Sequence, residues 1–535
     1  MNVADLILLK GEAKAIALIH KDTVMTYGEL RSAVARIAGT LLARGRNKGD
    51  CIGIWAENCP FFVASYLAVI RAGLVAVPFE TEMRADGFSR IVTDARIKDL
   101  FVSRRFVNRV RPWAEAAGLE VFQEGDLAGL PTDTANRVVP IEPARDLAAL
   151  MFTSGSTGAP KGVMVTHRNI ECNARDIVSF LDLRDDDRVM TVLPFHYCFG
   201  TSLLHTHLLA GGSLVLNNDF RLYPEAMLQE MAQRGCTGLA GVPSTYQILL
   251  RKSRFRQLRF PKLRWFQQAG GKLPNPFINE IRSAFSQVKY FLMYGQTEGT
   301  ARLSYLPPDR LQDKLGSIGK GLPSTRLDVL KADGTPVQPG SEETGEIVAS
   351  GANITLGYWN DPGETARYFR DGRLHTGDIA RVDSDGFIFI VERERDLIKS
   401  LGNRVSAKEI EDVIAELPEI VEVAVVGRPH ELLGEAITAF AVTVAEPSLT
   451  PDRVIEHCRK RLATFKTPER VIFLRTMPHN GSGKVLKREL KNWVARRVPP
   501  DGRDHREWNS QQSPSQGDLG AHGEPARVVS AARLE

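Results

Sequence analysis

Apolar and polar positions follow two different periods along the first 250 residues. Short apolar runs typical of buried strands are found at 15–20, 50–56, 74–79 and 99–103, and again at 147–153, 213–218 and 238–243. Between them, residues 26–45 repeat apolar side chains at helical spacing, with Leu30, Val34, Ile37 and Leu41 on one face. Strands that alternate with helices of this length predict βαβ units and a mostly parallel sheet flanked by helices.

The pattern changes near residue 395. Ser406 and Glu409 are spaced as a capping box, and an amphipathic helix with Ile410, Val413, Ile414 and Leu417 follows. Strand-like and helical runs then come at 421–427, 436–444, 451–462 and 470–475. The sequence therefore predicts an α/β fold with a large N-terminal domain at 1–394 and a small α+β domain at 395–498. Residues 499–535 are rich in Pro, Gly, Ser and Gln, which predicts a disordered tail.

Composition narrows the class of protein. The 535 residues are 43% apolar and 25% charged, as in soluble globular proteins. A net charge of +5, from 69 basic and 64 acidic residues, gives no reason to expect a nucleic-acid partner. The start lacks the basic region of a secretory signal, and the most apolar stretch, 61–79, is interrupted by Arg71 and Pro78. We therefore expect a cytoplasmic protein with no membrane span.

A loop rich in glycine and hydroxyl groups directly follows the strand-like run at 147–153. Its candidate phosphate-binding residues are Thr153, Ser154, Gly155, Ser156, Thr157, Gly158 and Lys161. Glycine lets backbone N–H groups approach phosphate oxygens, hydroxyls donate further hydrogen bonds, and lysine adds positive charge. The spacing is not that of a Walker loop, because Lys161 is followed by Gly162. On its own, this composition also fits an ordinary Ser/Gly turn.

Five further motifs accompany this loop in a fixed order. They are Tyr294–Glu298 (YGQTE), Gly345–Ile347 (GEI), Thr376–Asp378 (TGD), 393–399 (RERDLIK) and 480–484 (NGSGK). Together with TSGSTGAPKGV at 153–163, the set resembles the adenylate-forming superfamily over roughly residues 10 to 495. That resemblance implies an ATP-dependent acid–thiol ligase that forms an acyl-AMP, releases pyrophosphate and transfers the acyl group to CoA, with Mg²⁺ as cofactor. Transfer to the phosphopantetheine of an acyl carrier protein is the alternative.

The resemblance also implies a role for each motif residue. Glu298 would hold Mg²⁺, since a hard cation prefers carboxylate oxygen, and Thr297 would bond the phosphates. Tyr294 would pack against adenine, Asp378 would accept both ribose hydroxyls, and Arg393 would reach the ribose or the α-phosphate. The remaining ATP-binding candidates are Gly270, Gly271, Lys272, Gly295 and Gln296. Lys272 departs from the pattern, in which that position is usually small or acidic, and its role stays open.

Lys484 is the principal catalytic candidate. In the superfamily, the matching lysine stabilises the carboxylate and the developing charge during adenylation. In the superfamily the small domain is also mobile. After the first half-reaction it rotates about the position that matches Arg395, before the second half-reaction takes place. One arrangement would bring Lys484 to the active site, and the other would present Ser400, Leu401 and Gly402 to the thiol.

The acid side of the site is less clear from the sequence. The segment 193–200 (LPFHYCFG) resembles a superfamily motif whose histidine borders the carboxylate, but Tyr197 occupies that position and His196 comes one residue early. Both stay candidates, with Tyr197 preferred. Phe199 and Ser244 are expected to line the pocket. No acidic residue lies between Asp187 and Asp219, where amino-acid-activating relatives pair the substrate ammonium, so we expect a plain aliphatic or aromatic carboxylic acid.

Two further classes share this fold. A degenerate nucleotide-binding protein is disfavoured because Glu298, Asp378, Arg393 and Lys484 are all present. A luciferase-like oxygenase stays an alternative on fold alone.

Overall fold

The computed structural model describes residues 1–129, 139–154, 160–391, 397–400, 403–430, 433–444, 449–481 and 483–497. It confirms the predicted fold class: a large N-terminal region of sheets flanked by helices precedes a smaller α+β region. Arg395 and the segment 499–535 lie outside the described residues, so the predicted domain boundary and tail stay predictions.

Eleven helices and twenty strands are described in the N-terminal region. The helices are α1 (Val3–Ile7), α2 (Tyr27–Ala43), α3 (Pro60–Arg71), α4 (Ala85–Ala95), α5 (Val107–Ala116), α6 (His167–Leu181), α7 (Cys198–Ala210), α8 (Pro224–Gln233), α9 (Pro243–Lys252), α10 (Asn275–Ala284) and α11 (Pro362–Tyr368). The strands are β1 (Ile16–His20), β2 (Thr23–Thr26), β3 (Cys51–Trp55), β4 (Val75–Pro78), β5 (Asp99–Val102), β6 (Glu120–Gln123), β7 (Leu147–Ser154), β8 (Pro160–Thr166), β9 (Arg188–Thr191), β10 (Ser213–Leu216), β11 (Gly238–Gly241), β12 (Trp265–Gln268), β13 (Lys289–Tyr294), β14 (Ser304–Leu306), β15 (Gly321–Leu322), β16 (Thr325–Leu330), β17 (Gly345–Gly351), β18 (Phe369–Arg370), β19 (Arg373–Val382) and β20 (Ile388–Ile390).

These strands form three sheets. The order β14-β13-β12-β11-β9-β10-β1-β2 is parallel except at its two edge pairs, and β6-β5-β3-β4-β7-β8 is parallel up to the antiparallel β7–β8 pair. The third sheet, β15-β16-β17-β19-β18 with β20 beside β19, is antiparallel throughout. It was not predicted as a separate sheet because its strands, such as β19, alternate buried and partly exposed residues instead of forming apolar runs.

One buried helix, α7, positions the site. Every residue from Phe199 to Ala210 is buried, and its apolar side chains share one core with β3 and β4 of one parallel sheet and β10 and β11 of the other. The N-terminus of α7, with Tyr197 as N-cap and Cys198 as first residue, is less buried than the rest of the helix.

The C-terminal region is an α+β unit. Its elements are β21 (Leu397–Ser400), β22 (Asn403–Ser406), α12 (Ala407–Ile414), β23 (Ile420–His430), β24 (Gly434–Thr443), α13 (Pro451–Arg459), β25 (Arg470–Phe473) and α14 (Lys487–Arg497). One half of the predicted capping box of α12 is observed: the Ser406 side chain accepts a hydrogen bond from the Glu409 backbone N–H, while the Glu409 carboxylate accepts hydrogen bonds from Lys466 Nζ. The helix ends at Ile414, three residues before the predicted Leu417.

The two regions are in contact. Arg251 Nε of α9 donates a 3.1 Å hydrogen bond to the Ile420 carbonyl of β23, and apolar residues of both regions share one core cluster. The C-terminal region is thereby held against the end of the large sheet at which α7 begins. In the described part of the chain, no helix combines the length and the apolar character required to cross a bilayer.

Candidate active site

Lys484 of the C-terminal region lies beside Tyr197 of the N-terminal region. Its Nζ is 5.9 Å from the Tyr197 ring centroid, and the two side chains are joined by a hydrogen bond. A Cβ added to Gly270 would lie 3.5 Å from the Tyr197 hydroxyl and 3.7 Å from Lys484 Cε. The structure therefore brings together three residues that the sequence predicted separately: Lys484, Tyr197 and Gly270.

The loop that carries Lys484 is fixed from within and from the large region. Asn480 Oδ1 accepts a 2.9 Å hydrogen bond from the Lys484 backbone N–H, and the Gly483 carbonyl accepts one of 3.0 Å from Ser244 Oγ. Gly483 has a φ of +83°, and a Cβ there would lie 2.9 Å from Arg221 Nη2, so a larger residue would be strained as well as crowded. Ser244, predicted as a pocket residue, thus contacts the loop that carries Lys484.

Glu80 holds a second point of that loop. The backbone N–H of Gly481 donates a hydrogen bond to the Glu80 carboxylate, and burial raises the pKa of this carboxyl. Glu80 was not singled out in the sequence, because a lone Glu after an apolar strand carries no local signal of a partner so far along the chain.

Tyr197, not His196, is the residue aimed at Lys484. Burial raises the pKa of the Tyr197 hydroxyl, an effect that Lys484 opposes. Burial lowers the pKa of His196 to about 4, so its imidazole is neutral at physiological pH. Tyr197 is also the N-cap residue of α7 but makes no side-chain cap, which leaves the first-turn amides and the positive end of the helix dipole for an anion.

The YGQTE residues adjoin this cluster through α7. Thr297 Oγ1 lies 3.4 Å from Sγ of Cys198, the first residue of the helix. Tyr294 Oη donates a 2.7 Å hydrogen bond to Asp378 Oδ2, so the predicted adenine-side and ribose-side residues are neighbours. Among the described residues, the buried amide nitrogen of Gln296 has no hydrogen-bond partner. Gly295 packs tightly, since a Cβ there would lie 2.0 Å from the Ala301 carbonyl oxygen.

Glu298 is oriented by a residue that sequence reasoning missed. Tyr358 Oη donates a 2.7 Å hydrogen bond to Glu298 Oε1, and burial together with that carboxylate raises the pKa of the phenol. The sequence feature that could have indicated Tyr358 is the run Gly357–Asn360, in which two aromatic residues lie between a glycine and an asparagine. Both flanking residues adopt positive φ in the structure. In the described part of the chain, no group of three His, Cys, Asp or Glu side chains is arranged to hold a metal. That Glu298 is a ligand of Mg²⁺ stays a prediction, in which the ion is bound mainly through nucleotide phosphates, the usual mode for this metal.

The predicted phosphate loop is described only at its two ends. Gly155, Ser156, Thr157 and Gly158 lie outside the described residues, and the side chain of Ser154 is likewise not described. Thr153 and Lys161 are paired across β7 and β8. Lys161 forms an ion pair with Glu364 and lies 5.4 Å from the ring centroid of Tyr358, which places its charge near the residue that orients Glu298.

Lys272, whose role the sequence left open, forms an ion pair between the two regions. Its Nζ lies 2.5 Å from Oδ2 of Asp412 in α12. Desolvation raises the pKa of the Asp412 carboxyl, and Lys272 opposes that effect. Neighbouring Gly271 accepts a 2.7 Å hydrogen bond from the Gln268 side chain.

The remaining predicted residues do not all fall on described segments. Arg393, Arg395, Leu401 and Gly402 lie outside the described residues, so their roles stay predictions. Ser400 is the buried last residue of β21 and pairs with Asn403 of β22. Phe199 is buried in α7 with the Arg302 guanidinium over its ring.

A separate cavity lies next to this site. It has a volume of about 20 Å³ and is lined by residues of α6 and α7, including Cys198, together with Thr297. Its walls are largely apolar, and the Tyr66 hydroxyl and His205 Nε2 at its edge lie 3.0 Å apart.

The chain is similar over most of its length to proteins that couple acids to CoA. It is 34% identical to a feruloyl-CoA synthase from Amycolatopsis, over 89% of this chain and 95% of that protein. It is 31% identical to a long-chain-fatty-acid–CoA ligase from Salmonella typhimurium, over 89% and 91% of the two chains. A solved structure of o-succinylbenzoate–CoA synthetase from Bacillus subtilis, in complex with ATP and magnesium, superposes with a TM-score of 0.78 at 28% identity, covering 92% of this chain and 99% of that one.

Family models agree with these similarities. The model of the AMP-binding enzyme C-terminal domain matches residues 409–484, which end at Lys484. The model of the AMP-binding enzyme itself matches residues 9–359, which include the glycine-rich loop and the YGQTE motif. The chain therefore belongs to the AMP-binding enzyme family.

Proposed function

We propose that this protein is an AMP-forming acid–CoA ligase that activates a carboxylic acid with ATP and then forms its CoA thioester. The observation that carries the proposal is the position of Lys484, which reaches from the C-terminal region to Tyr197 and Gly270 at the start of α7. Thr297, Glu298 and the Tyr294–Asp378 pair surround the same end of the helix, so a cation, a metal-binding carboxylate and nucleotide-binding groups share one cleft.

In the first half-reaction, a carboxylate oxygen of the acid attacks the α-phosphorus of ATP. A new P–O bond forms, the bond between the α-phosphorus and the bridging oxygen breaks, and pyrophosphate leaves with that electron pair. Because two anions must approach each other, fixed positive charge supplies most of the catalysis. Lys484 and the first-turn amides of α7 are the groups that would hold the carboxylate. Bound Mg²⁺ would neutralise phosphate charge, with Glu298 as its protein ligand.

In the second half-reaction, the CoA sulfur attacks the acyl carbon. A C–S bond forms, the thiol proton is lost, and the C–O bond to AMP breaks so that AMP leaves. Lys484 lies beside Tyr197 in the present arrangement, which we assign to the first half-reaction. The second half-reaction would require the C-terminal region to withdraw Lys484, a domain rotation about a hinge. CoA is the acceptor supported by the names of the feruloyl-CoA synthase, the long-chain-fatty-acid–CoA ligase and the o-succinylbenzoate–CoA synthetase.

The class of acid is open at this level, because the similar proteins are named for aromatic and for long-chain aliphatic acids. The test is formation of acyl-CoA and AMP from a panel of aliphatic and aromatic acids with ATP, Mg²⁺ and CoA, followed by mass spectrometry. The proposal predicts equal amounts of AMP, pyrophosphate and thioester for at least one acid. Release of ADP and orthophosphate in place of AMP would contradict it. Lys460→Ala, at the exposed residue that follows α13, serves as a matched control for lysine substitutions in the site.

A further inference from the structure

Arg302 is a fully buried cation beside the proposed acid site. It lies between the YGQTE motif and β14, and only 1% of its surface is exposed. Its guanidinium carbon lies 3.8 Å from the Phe199 ring centroid, a close stacking contact on the helix that starts at the reacting end of the cleft. Arginines are rarely buried to this degree without a paired carboxylate.

The hydrogen bonds of this guanidinium are incomplete. Nε lies 3.3 Å from Met293 Sδ, and Nη1 donates to the Ala301 carbonyl at 3.3 Å. Within the described residues, Nη2 has no hydrogen-bond partner, and the titratable groups whose charge acts on the guanidinium are Cys198 and Tyr197, with no carboxylate among them. Desolvation lowers the pKa of Arg302 to about 10, which leaves the side chain charged at neutral pH. A buried charge without a counter-ion is costly unless a ligand supplies one.

A second buried polar group lies on β12, the strand next to the one that carries Met293. Gln267 of β12 is fully buried, and in the described part of the chain neither its amide oxygen nor its amide nitrogen has a partner. The strand register pairs Gln267 with Phe291 of β13, and Met293, the residue in contact with Arg302, follows two positions later on the same face. An amide with both ends unsatisfied and a guanidinium with one end unsatisfied thus lie between α7 and the sheet.

Arg302 and Gln267 lie further along α7 than the residues proposed to hold the reacting carboxylate. Tyr197, Gly270 and Lys484 mark the reacting end, whereas Phe199 lies two residues further into α7 and carries Arg302 on its ring. An acid held at Tyr197 and Lys484 would extend along this helix face towards Arg302. This step rests on the acid–CoA ligase activity proposed above.

We propose that Arg302 binds a second carboxylate of the substrate, so that the enzyme activates one end of a dicarboxylic acid. Arginine presents a planar set of donors that fits a carboxylate at two points, and Gln267 offers a further N–H donor to the same group. A monocarboxylic acid of equal length would leave Nη2 buried and unpaired. When a substrate lacks the group that would pair with a buried polar side chain, the site discriminates strongly against that substrate.

The test compares matched acids. Straight-chain monocarboxylic and α,ω-dicarboxylic acids of equal carbon number are paired from three to ten carbons, with 3-phenylpropanoate and 3-(4-carboxyphenyl)propanoate as an aromatic pair. For wild type, kcat/KM for ATP–pyrophosphate exchange should be higher for at least one diacid than for its partner, by about 100-fold or more. Arg302→Met should remove this preference by lowering the diacid value by a similar factor, and Arg302→Lys should restore part of it. Arg326→Met, at an exposed position of β16, is the control and should leave the preference unchanged.

The outcomes separate this inference from the proposed function. Exchange with monocarboxylic acids and no preference for any diacid overturns the inference and leaves the ligase activity standing. An equal loss for both members of a pair in Arg302→Met also overturns it, because the residue would then serve the reacting carboxylate or the fold. No exchange with any acid overturns both. Thermal unfolding with and without the preferred diacid gives a readout independent of turnover: the diacid should raise the melting temperature of wild type and not that of Arg302→Met.

Discussion

Lys484 and Tyr197 are in contact across the boundary between the two regions of the chain, with Nζ 5.9 Å from the ring centroid. The contact depends on the glycine-rich loop at 480–484, which is tied to the large region by the Ser244–Gly483 and Glu80–Gly481 hydrogen bonds. A flexible side chain is thereby delivered to a preorganised position, the condition under which one charge has a large effect on a rate.

Removal of the Lys484 ammonium should therefore affect the first half-reaction most. We expect Lys484→Ala to lower pyrophosphate exchange by about 100-fold or more, the scale of losing one preorganised charge contact. Thioester formation from synthetic acyl-AMP should change far less, because that step does not need the lysine in the cleft. Lys460→Ala controls for loss of a surface lysine. Exchange near the wild-type rate in Lys484→Ala would contradict this assignment.

The hydroxyl of Tyr197 should contribute to adenylation without titrating. Burial raises its pKa and lowers that of His196 to about 4, so neither group changes protonation between pH 6 and 8. We expect Tyr197→Phe to slow pyrophosphate exchange by about tenfold, the order of one lost hydrogen bond to a charged group. Wild type and His196→Gln should give parallel pH–rate profiles over that range. A rate step near pH 6.5 that disappears in His196→Gln would instead assign a proton-transfer role to the histidine.

The Lys272–Asp412 ion pair should favour the arrangement that inserts Lys484. Both side chains are partly exposed, so the pair is expected to contribute about 0.2–1 kcal/mol. Lys272→Ala should slow pyrophosphate exchange by roughly two- to fivefold, and should leave thioester formation from acyl-AMP unchanged or slightly faster. The charge-reversed double variant Lys272→Asp/Asp412→Lys should recover part of the exchange rate. Equal slowing of both half-reactions would show that the pair does not discriminate between the two arrangements.

Glu298 should set the requirement for magnesium. We expect Glu298→Gln to raise the Mg²⁺ concentration for half-maximal exchange by about tenfold or more, since an amide is a much weaker ligand for a hard cation. Tyr358→Phe, which removes only the 2.7 Å hydrogen bond to Glu298, should produce a smaller shift in the same direction. Glu171→Gln on the surface of α6 is the control. An unchanged magnesium dependence in Glu298→Gln would exclude it as a ligand.

Acid should destabilise the fold through three buried histidines in addition to His196. Burial lowers the pKa of His167 and His207 to about 4 and that of His205 to about 3, below the ordinary value of 6.5. Between pH 6.5 and the lowered pKa values, the unfolded chain binds more protons than the folded one. The free energy of unfolding is therefore highest above pH 6.5 and decreases as the pH falls towards 4. Each histidine contributes at most about 1.4 kcal/mol per pH unit. Urea unfolding from pH 7 to 4.5 should show this loss, with a shallower slope in His207→Gln; equal slopes would contradict the assignment.

The parallel sheets were predictable because their strands are continuous apolar runs. The run at 50–56 became β3, Cys51–Trp55, with every residue buried, and the helical pattern at 26–45 became α2, which begins at a Thr26 capping box. The antiparallel sheet escaped prediction because strands with one partly exposed face, such as β19, carry a weaker apolar signal.

Motif residues of the site were predictable, and their partners were not. Tyr294, Thr297, Glu298 and Lys484 lie in ordered, recognisable runs. Asp412, Glu364 and Tyr358, which bind Lys272, Lys161 and Glu298, are single residues whose significance arises only from chain folding. Arg302 was missed for a different reason: an arginine shortly after a motif is normally solvated, and only its burial against Phe199 distinguishes it.

Transfer of an oxygen atom from the acid to AMP would identify an acyl-AMP intermediate. The best acid from the panel is labelled with ¹⁸O in both oxygens of one carboxylate and incubated with ATP, Mg²⁺ and CoA. The masses of the products are then measured by mass spectrometry. An acyl-AMP pathway predicts one ¹⁸O in AMP for each thioester formed, because the attacking oxygen stays on the α-phosphorus when the thiol displaces AMP. Label in orthophosphate, or thioester formed without label in AMP, would contradict it.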